Sequence, residues 1–340
     1  MSRKKINSSK SIEGGTLMKK TILLIHTGGT ISMSEDTSGA VKPGTRNPLT
    51  EEGQILSNLA DLIVEEPFNL PSPHITMKNM IELKQLLERY DKDGEIDGAV
   101  ITHGTDTLEE TAYFLDLTVQ VRFPIVVTGA MRSSNEIGSD GLYNLISSIR
   151  VASSNEAQNK GVLVVLNDEI HTAENVTKTH TSNVSTFQSP QFGPIGIVTK
   201  QGIFFHHMPS YRENYKITEL TKQVVIIKAH AGMDAALLYA VRDLKVNGVV
   251  IEALGQGNMP PATVPGIKSL IDHNIPVVIV SRAFNGIVQD VYAYEGGGKH
   301  LKEMGVIFSN GLNGQKARIK LLVALARTED LNEITEMFRV

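Results

Sequence analysis

The sequence predicts an α/β protein of two domains. The larger N-terminal domain has a mixed sheet flanked by helices and carries a β-hairpin, and the smaller C-terminal domain has a parallel sheet. Three observations lead there. Short runs of Val, Ile and Leu alternate with segments of helical apolar spacing, the rhythm of strands covered by helices. At 340 residues the chain exceeds the roughly 250 to 300 residues at which single hydrophobic cores stop growing. Between Met208 and Lys222 the rhythm pauses in a polar stretch and then restarts. This places an N-terminal domain at 19–212, a linker at 213–222 and a C-terminal domain at 223–340. Residues 1–18 are basic and serine-rich without an apolar core, and are expected to form a disordered tail or added extension rather than a secretory signal.

In chain order, Thr21 to Ile25 is the first buried strand. It ends in His26-Thr27-Gly28-Gly29-Thr30-Ile31, where adjacent glycines permit a tight turn. The stretch from Met33 to Pro48 lacks an apolar period and follows a strand end directly, as a mobile loop covering a site would. A helix is expected from Leu49 to Leu62, an extended proline-stiffened stretch from Phe68 to His74, and a helix from Met77 to Tyr90. The next strand, Ala99 to Ile101, stops in Thr102-His103-Gly104-Thr105-Asp106-Thr107. Thr107 and Glu110 then have capping-box spacing, and Leu108, Thr111, Ala112 and Leu115 mark an inward helix face. Strand Pro124 to Gly129 leads through a polar loop to a helix bearing Leu142, Leu145, Ile146 and Ile149. Strand Gly161 to Leu166 exits into the polar stretch Asn167 to Lys178.

Four strands thus end in polar loops, and in open parallel sheets that edge is where ligands bind. Ile195 to Phe205 alternates as a hairpin turning at Lys200-Gln201-Gly202. Beyond the linker, strands are expected at Val224 to Lys228, Gly248 to Glu252, Pro276 to Ser281 and Val306 to Ser309. Helices are expected near Met233 to Val246, Val264 to His273, Gln315 to Arg327 and Leu331 to Phe338.

Composition narrows the function classes. A net charge of -4 provides no field for gathering nucleic acid or an anionic membrane. No apolar run approaches the roughly 18 residues that span a bilayer. The expected partner is a small molecule and the expected location the cytoplasm. The sequence contains no cysteine, which removes thiolate nucleophiles, disulfides and cysteine metal sites. Gly-x-Gly-x-x-Gly after the first strand, the phosphate-binding Gly-x-x-x-x-Gly-Lys-[Ser/Thr] and the Gly-x-Ser-x-Gly elbow are all missing. The histidines lack a zinc spacing, so no metal is expected.

What remains at the strand ends is threonine, lysine and aspartate. A threonine hydroxyl attacks only when a neighbouring base takes its proton, and a lysine serves when a carboxylate orients it. Thr30, Thr105, Asp106 and Lys178 are therefore candidates for acyl transfer, with backbone N–H groups near Gly28-Gly29 and Gly104 facing an oxyanion. On spacing alone a plainer account stays open. The glycines can mark a mere turn, Asp106-Thr107 can cap a helix, and Lys178 can be a solvated surface lysine.

The segments Thr27-Gly28-Gly29-Thr30-Ile31 and Ile101-Thr102-His103-Gly104-Thr105-Asp106-Thr107-Leu108-Glu109-Glu110-Thr111 resemble the two signatures of the bacterial-type L-asparaginases. The likeness continues through Val127 to Arg132, Ser139-Asp140-Gly141, Gly161 to Asp168, Val176 to Thr179 and Asn313 to Arg318, and so covers the chain from about Lys20 onward. The resemblance implies hydrolysis of L-asparagine to L-aspartate and ammonia without a cofactor, by a homotetramer of tight dimers. It implies Thr30 as nucleophile, Thr105 as the residue that positions water and amide, and Lys178 as the group that tunes the hydroxyls. Asp106 would orient Lys178 and hold the substrate α-amino group. Gly29, Ser72, Gly104, Ala130 and Asn258 would complete substrate binding, Asn258 from a neighbouring subunit. Departures from the family pattern are Pro73-His74 after Ser72 in place of an acidic residue, Ala40 where a loop tyrosine is usual, and Tyr292, with Glu295 nearby, where a partner-subunit glutamate is usual. Alternatives are a glutaminase-asparaginase, an ammonia-supplying amidotransferase subunit, and a non-catalytic sensor of asparagine or aspartate.

Overall fold

The computed structural model describes residues 4–6, 19–35, 38, 41–43, 53–209, 212–309 and 311–339. The chain divides into two compact units, Met1–Asn214 and Tyr215–Val340.

In the first unit the elements run β1 (Lys4–Ile6), β2 (Thr21–His26), β3 (Met33–Glu35), β4 (Val41–Pro43), α1 (Gly53–Leu56), β5 (Asp61–Glu65), α2 (Met77–Asp93), β6 (Gly98–Thr102) and α3 (Leu108–Thr118). They continue with β7 (Ile125–Thr128), α4 (Gly141–Ala152), β8 (Val162–Leu166), β9 (Glu169–Thr172), β10 (Thr177–Lys178), β11 (Phe187–Gln188), β12 (Gly196–Val198) and β13 (Ile203–Phe205). Nine strands form one mixed sheet in the order β1-β5-β2-β6-β7-β8-β9-β12-β13. Its centre, from β5 to β8, is parallel, and both margins are antiparallel. Central strands buried on both faces need continuous apolar runs, and Ile22, Leu23, Leu24 and Ile25 of β2 and Ala99, Val100 and Ile101 of β6 are all buried.

The chain leaves β2 towards β5 on one side and returns in β6 on the other. Such a reversal opens a crevice beyond the carboxyl ends of the two strands. The pairing of His26 with Thr102 at the last register position puts the loops after β2 and β6 side by side.

Several expectations are corrected. The helix foreseen from Leu49 to Leu62 falls partly outside the described residues; within them, Gly53–Leu56 is one helical turn and Asp61–Glu65 is strand β5. Leu62, Ile63 and Val64 are buried on both faces of the sheet, so their run carries no alternation to separate strand from helix. The presumed loop from Met33 to Pro48 contains the antiparallel pair β3–β4, its remaining residues other than Ser38 lying outside the described set. The presumed tail contributes β1, antiparallel to β5, while the rest of 1–18 lies outside the described set. The polar exit from β8 is a two-residue hairpin turn into β9, with positive φ at Asn167 (51°) and Asp168 (66°), the signature of a type I′ turn. The hairpin foreseen from Ile195 to Phe205 is β12–β13.

The second unit contains β14 (Val224–Lys228), α5 (Ala236–Asp243), β15 (Gly248–Ala253), α6 (Val264–Asp272), β16 (Val277–Ser281), α7 (Gly298–Glu303), β17 (Ile307–Phe308), α8 (Gly314–Arg327) and α9 (Leu331–Met337). Its four strands are parallel and lie in chain order. Helix α7 has no counterpart in the sequence reading. Its six residues, entered through Gly296-Gly297-Gly298, are too short to show a helical period.

Candidate active site

The loop after β2 is shaped by Gly28 (φ 103°) and Gly29 (φ 85°), backbone angles that L side chains rarely adopt. A Cβ on Gly28 would stand 2.5 Å from the Leu70 backbone nitrogen, and the Leu70 N–H donates to the Thr27 carbonyl at 2.9 Å. The proline-stiffened stretch is thereby laid against the turn. It delivers Ser72, buried, whose hydroxyl accepts the Asp106 N–H at 3.2 Å and whose carbonyl accepts the Thr107 hydroxyl at 2.8 Å. Thr107 precedes α3 but makes no side-chain cap, which corrects the capping-box reading. Its hydroxyl finds a fixed carbonyl outside the helix, which competes with capping.

Across the crevice, Gly104 meets Gly29 closely enough that a Cβ on Gly29 would lie 2.3 Å from the Gly104 Cα. Thr30 and Thr105 each follow one of these two touching glycines. Among the described residues, no side-chain hydrogen bond links Thr30 to Thr105, Asp106 or Lys178. Thr105 is buried, and its hydroxyl accepts from Lys178 Nζ at 2.9 Å. The same Nζ donates to Asp106 Oδ1 at 2.7 Å. Lys178 is thus no free surface lysine: its side chain is 16% exposed, against 60% for Asp106.

Below the loop, His103 is fully buried with both ring nitrogens engaged. A carbonyl can only accept, so Nδ1 donates to the Gly104 carbonyl at 2.7 Å and Nε2 accepts the Thr111 hydroxyl at 2.9 Å. Burial pushes this imidazole down from the usual 6.5 to about 4, against a smaller upward pull from the Gly104 carbonyl. His26, also fully buried and bonded through Nδ1 to the Thr102 hydroxyl at 2.8 Å, is pushed down to about 4 by burial as well. Two neutral histidines therefore underpin the two site loops.

Ala130, two residues beyond the end of β7, is buried. Its loop is held by Asp140, whose carboxylate accepts the N–H groups of Met131 and Arg132 at 3.0 to 3.1 Å. Asn144 adds a bond from its amide to the Gly129 carbonyl at 3.0 Å.

Comparison with known proteins fits this arrangement. Residues 21–211 match the family model "Asparaginase, N-terminal" and residues 223–338 the "Glutaminase/Asparaginase C-terminal domain". The chain belongs to the asparaginase family. It is 37% identical to an L-asparaginase of Bacillus licheniformis over 91% of this chain and 96% of that protein. It is 30% identical to a glutaminase-asparaginase of Pseudomonas fluorescens biotype A over 97% of this chain and 92% of that protein. Among solved structures it is similar to a probable cytoplasmic L-asparaginase from Campylobacter jejuni, with a TM-score of 0.84 and 33% identity, covering 94% of this chain and 99% of that one.

Of the asparaginase residues expected from sequence, Gly29, Ser72, Gly104, Thr105, Asp106 and Lys178 are joined by the contacts above, with Thr30 adjoining Gly29. Asn258 lies in the second unit, where its side-chain oxygen accepts the Gly298 N–H at 3.1 Å. Tyr292 and Tyr294 form a tilted ring pair there, 5.6 Å between centroids. Ala40 lies outside the described residues. Sequence reasoning missed Glu109, Asn144 and the role of His103. Glu109 carries no local signal of its own, since Asp106, Glu110 and Thr111 around it are polar as well.

Proposed function

We propose that this chain hydrolyses the side-chain amide of L-asparagine, releasing L-aspartate and ammonia. The observation that carries the proposal is the sharing of Lys178 Nζ between Thr105 Oγ1 and Asp106 Oδ1 at the mouth of the β2–β6 crevice, in a chain of the asparaginase family. In this reading the Thr30 hydroxyl attacks the amide carbon, and its proton passes to the departing amine. Backbone N–H groups beside the Gly29–Gly104 contact face the oxyanion that forms. Collapse expels ammonia and leaves a β-aspartyl ester on Thr30. Water, held by Thr105 and activated through Lys178, attacks the ester and frees aspartate and the threonine hydroxyl. Asp106 orients Lys178 and, being largely exposed, also offers a carboxylate to the substrate ammonium. Ser72 contacts the α-carboxylate, and Ala130 lends a backbone contact.

The further expectations are a homotetramer of tight dimers in the cytoplasm, with Asn258 serving a neighbouring subunit's site. Supporting the assembly is the exposed apolar set Phe284, Ile287, Val291, Tyr292 and Tyr294 in the second unit. Among the described residues no helix is long and apolar enough to cross a membrane. Light scattering of the purified protein tests the assembly.

A second reading, a glutaminase-asparaginase, is favoured by the similarity to the Pseudomonas protein of that name. One methylene in a pocket discriminates by only about 1 to 3 kcal/mol. Ammonia release from L-asparagine and from L-glutamine over a wide concentration range decides between them. Binding of aspartate with no turnover of either amide would instead mean a sensor.

A further inference from the structure

Lys178 occupies a two-residue strand, β10, whose ladder with β11 has only two register pairs, Thr177 with Gln188 and Lys178 with Phe187. So short a ladder is a poor mount for a side chain whose Nζ must sit within hydrogen-bond reach of Thr105. The mount comes from elsewhere. Glu109, buried to 4% exposure in the first turn of α3, accepts at Oε1 both the Thr177 hydroxyl at 3.0 Å and the Lys178 backbone N–H at 3.3 Å.

Glu109 lies three residues after Asp106. The helix turn that follows the Thr105-Asp106 pair therefore reaches across to clamp the backbone of the lysine serving that pair. We propose that Glu109 is a positioning residue for the amide hydrolysis assigned above, holding the β10 backbone so that Lys178 Nζ bridges Thr105 and Asp106. The inference rests on the proposed function, since it matters for turnover only if Lys178 does.

The clamp is a hydrogen-bond acceptor in a fixed place, and this separates it from a merely structural carboxylate. Glu109→Gln keeps a carbonyl oxygen able to accept both bonds, whereas Glu109→Ala removes it. A shift of about 1 Å in a catalytic group is enough to cost roughly a hundredfold in rate. The expectation is that Glu109→Ala lowers kcat roughly 10- to 100-fold with little change in KM, and that Glu109→Gln restores kcat to within about threefold of the unaltered protein.

The deciding experiment measures kcat and KM for ammonia release by the full-length protein and both variants, together with amide hydrogen exchange at Lys178. Exchange at that amide should accelerate at least tenfold in Glu109→Ala and stay slow in Glu109→Gln. Wild-type kcat and unchanged Lys178 exchange in Glu109→Ala would overturn the proposal. So would a kcat loss in Glu109→Gln equal to that in Glu109→Ala. If Glu109→Ala does not fold, Glu109→Gln still decides, because a clamp predicts retained kcat and slow exchange. If the unaltered protein releases no ammonia from either amide, the functional reading fails, while the exchange measurement still judges the clamp.

Discussion

Gly29 and Gly104 touch through their backbones, so that a methyl group added to Gly29 would stand 2.3 Å from the Gly104 Cα. This contact joins the two loops that leave β2 and β6, and the residues that follow it are Thr30 and Thr105. A side chain at Gly29 would force the loops apart, and one at Gly104 would strike Ser72, its Cβ 2.7 Å from the Ser72 hydroxyl oxygen.

Gly29→Ala should therefore damage both fold and site. Positive φ and the backbone clash together are expected to cost roughly 2 to 4 kcal/mol, read as a lower midpoint in urea denaturation. A change within about 0.5 kcal/mol would mean that the loops separate freely.

Thr105→Ala removes the hydroxyl to which Lys178 Nζ donates. The expected outcome is a fall in kcat for ammonia release of about a thousandfold or more, with the thermal midpoint little changed. A variant that keeps more than a tenth of the activity would exclude Thr105 from the chemistry.

The Lys178–Asp106 pair is expected to contribute little to stability, because Asp106 is 60% exposed and such pairs are screened by solvent. Lys178→Met should alter unfolding free energy by no more than about 1 kcal/mol yet lower kcat by roughly a hundredfold or more. Equal losses in both quantities would show the lysine to be structural.

The buried histidines set an acid limit on the fold. His26 and His103 are held down from 6.5 to about 4, so between those values the unfolded chain binds more protons than the folded one. Stability from this source is complete above about pH 6.5 and is lost as pH falls towards 4, on the order of 3 kcal/mol for each histidine. Urea denaturation between pH 4 and 7 should show that slope, and replacing His103 by glutamine should flatten part of it. A flat profile for the unaltered protein would contradict the assignment.

Much of this was readable in advance, for identifiable reasons. Strands β2, β6, β7 and β8 are apolar runs ended by glycine or polar clusters, and Thr30, Thr105, Asp106 and Ala130 stand in the loops after the first three. Strand β5 was not readable, because a run buried on both faces has no period. The clamp from Glu109 was hidden because it joins residues far apart in sequence, and nothing local marks a helix carboxylate as the acceptor of another strand's N–H. The hydroxyl of Thr107 was misread as a cap because the competing Ser72 carbonyl arrives from a distant loop. Local chemistry was legible, whereas its tertiary competitors were not.

On the proposed function, Thr30 is the nucleophile of an amidohydrolase acting on L-asparagine. The most direct test of this role is steady-state ammonia release from L-asparagine by the unaltered protein and by Thr30→Ala, with folding of both verified by circular dichroism. Turnover is expected from the first and a loss of about a thousandfold or more in the second. Near-normal release by a folded Thr30→Ala would contradict it.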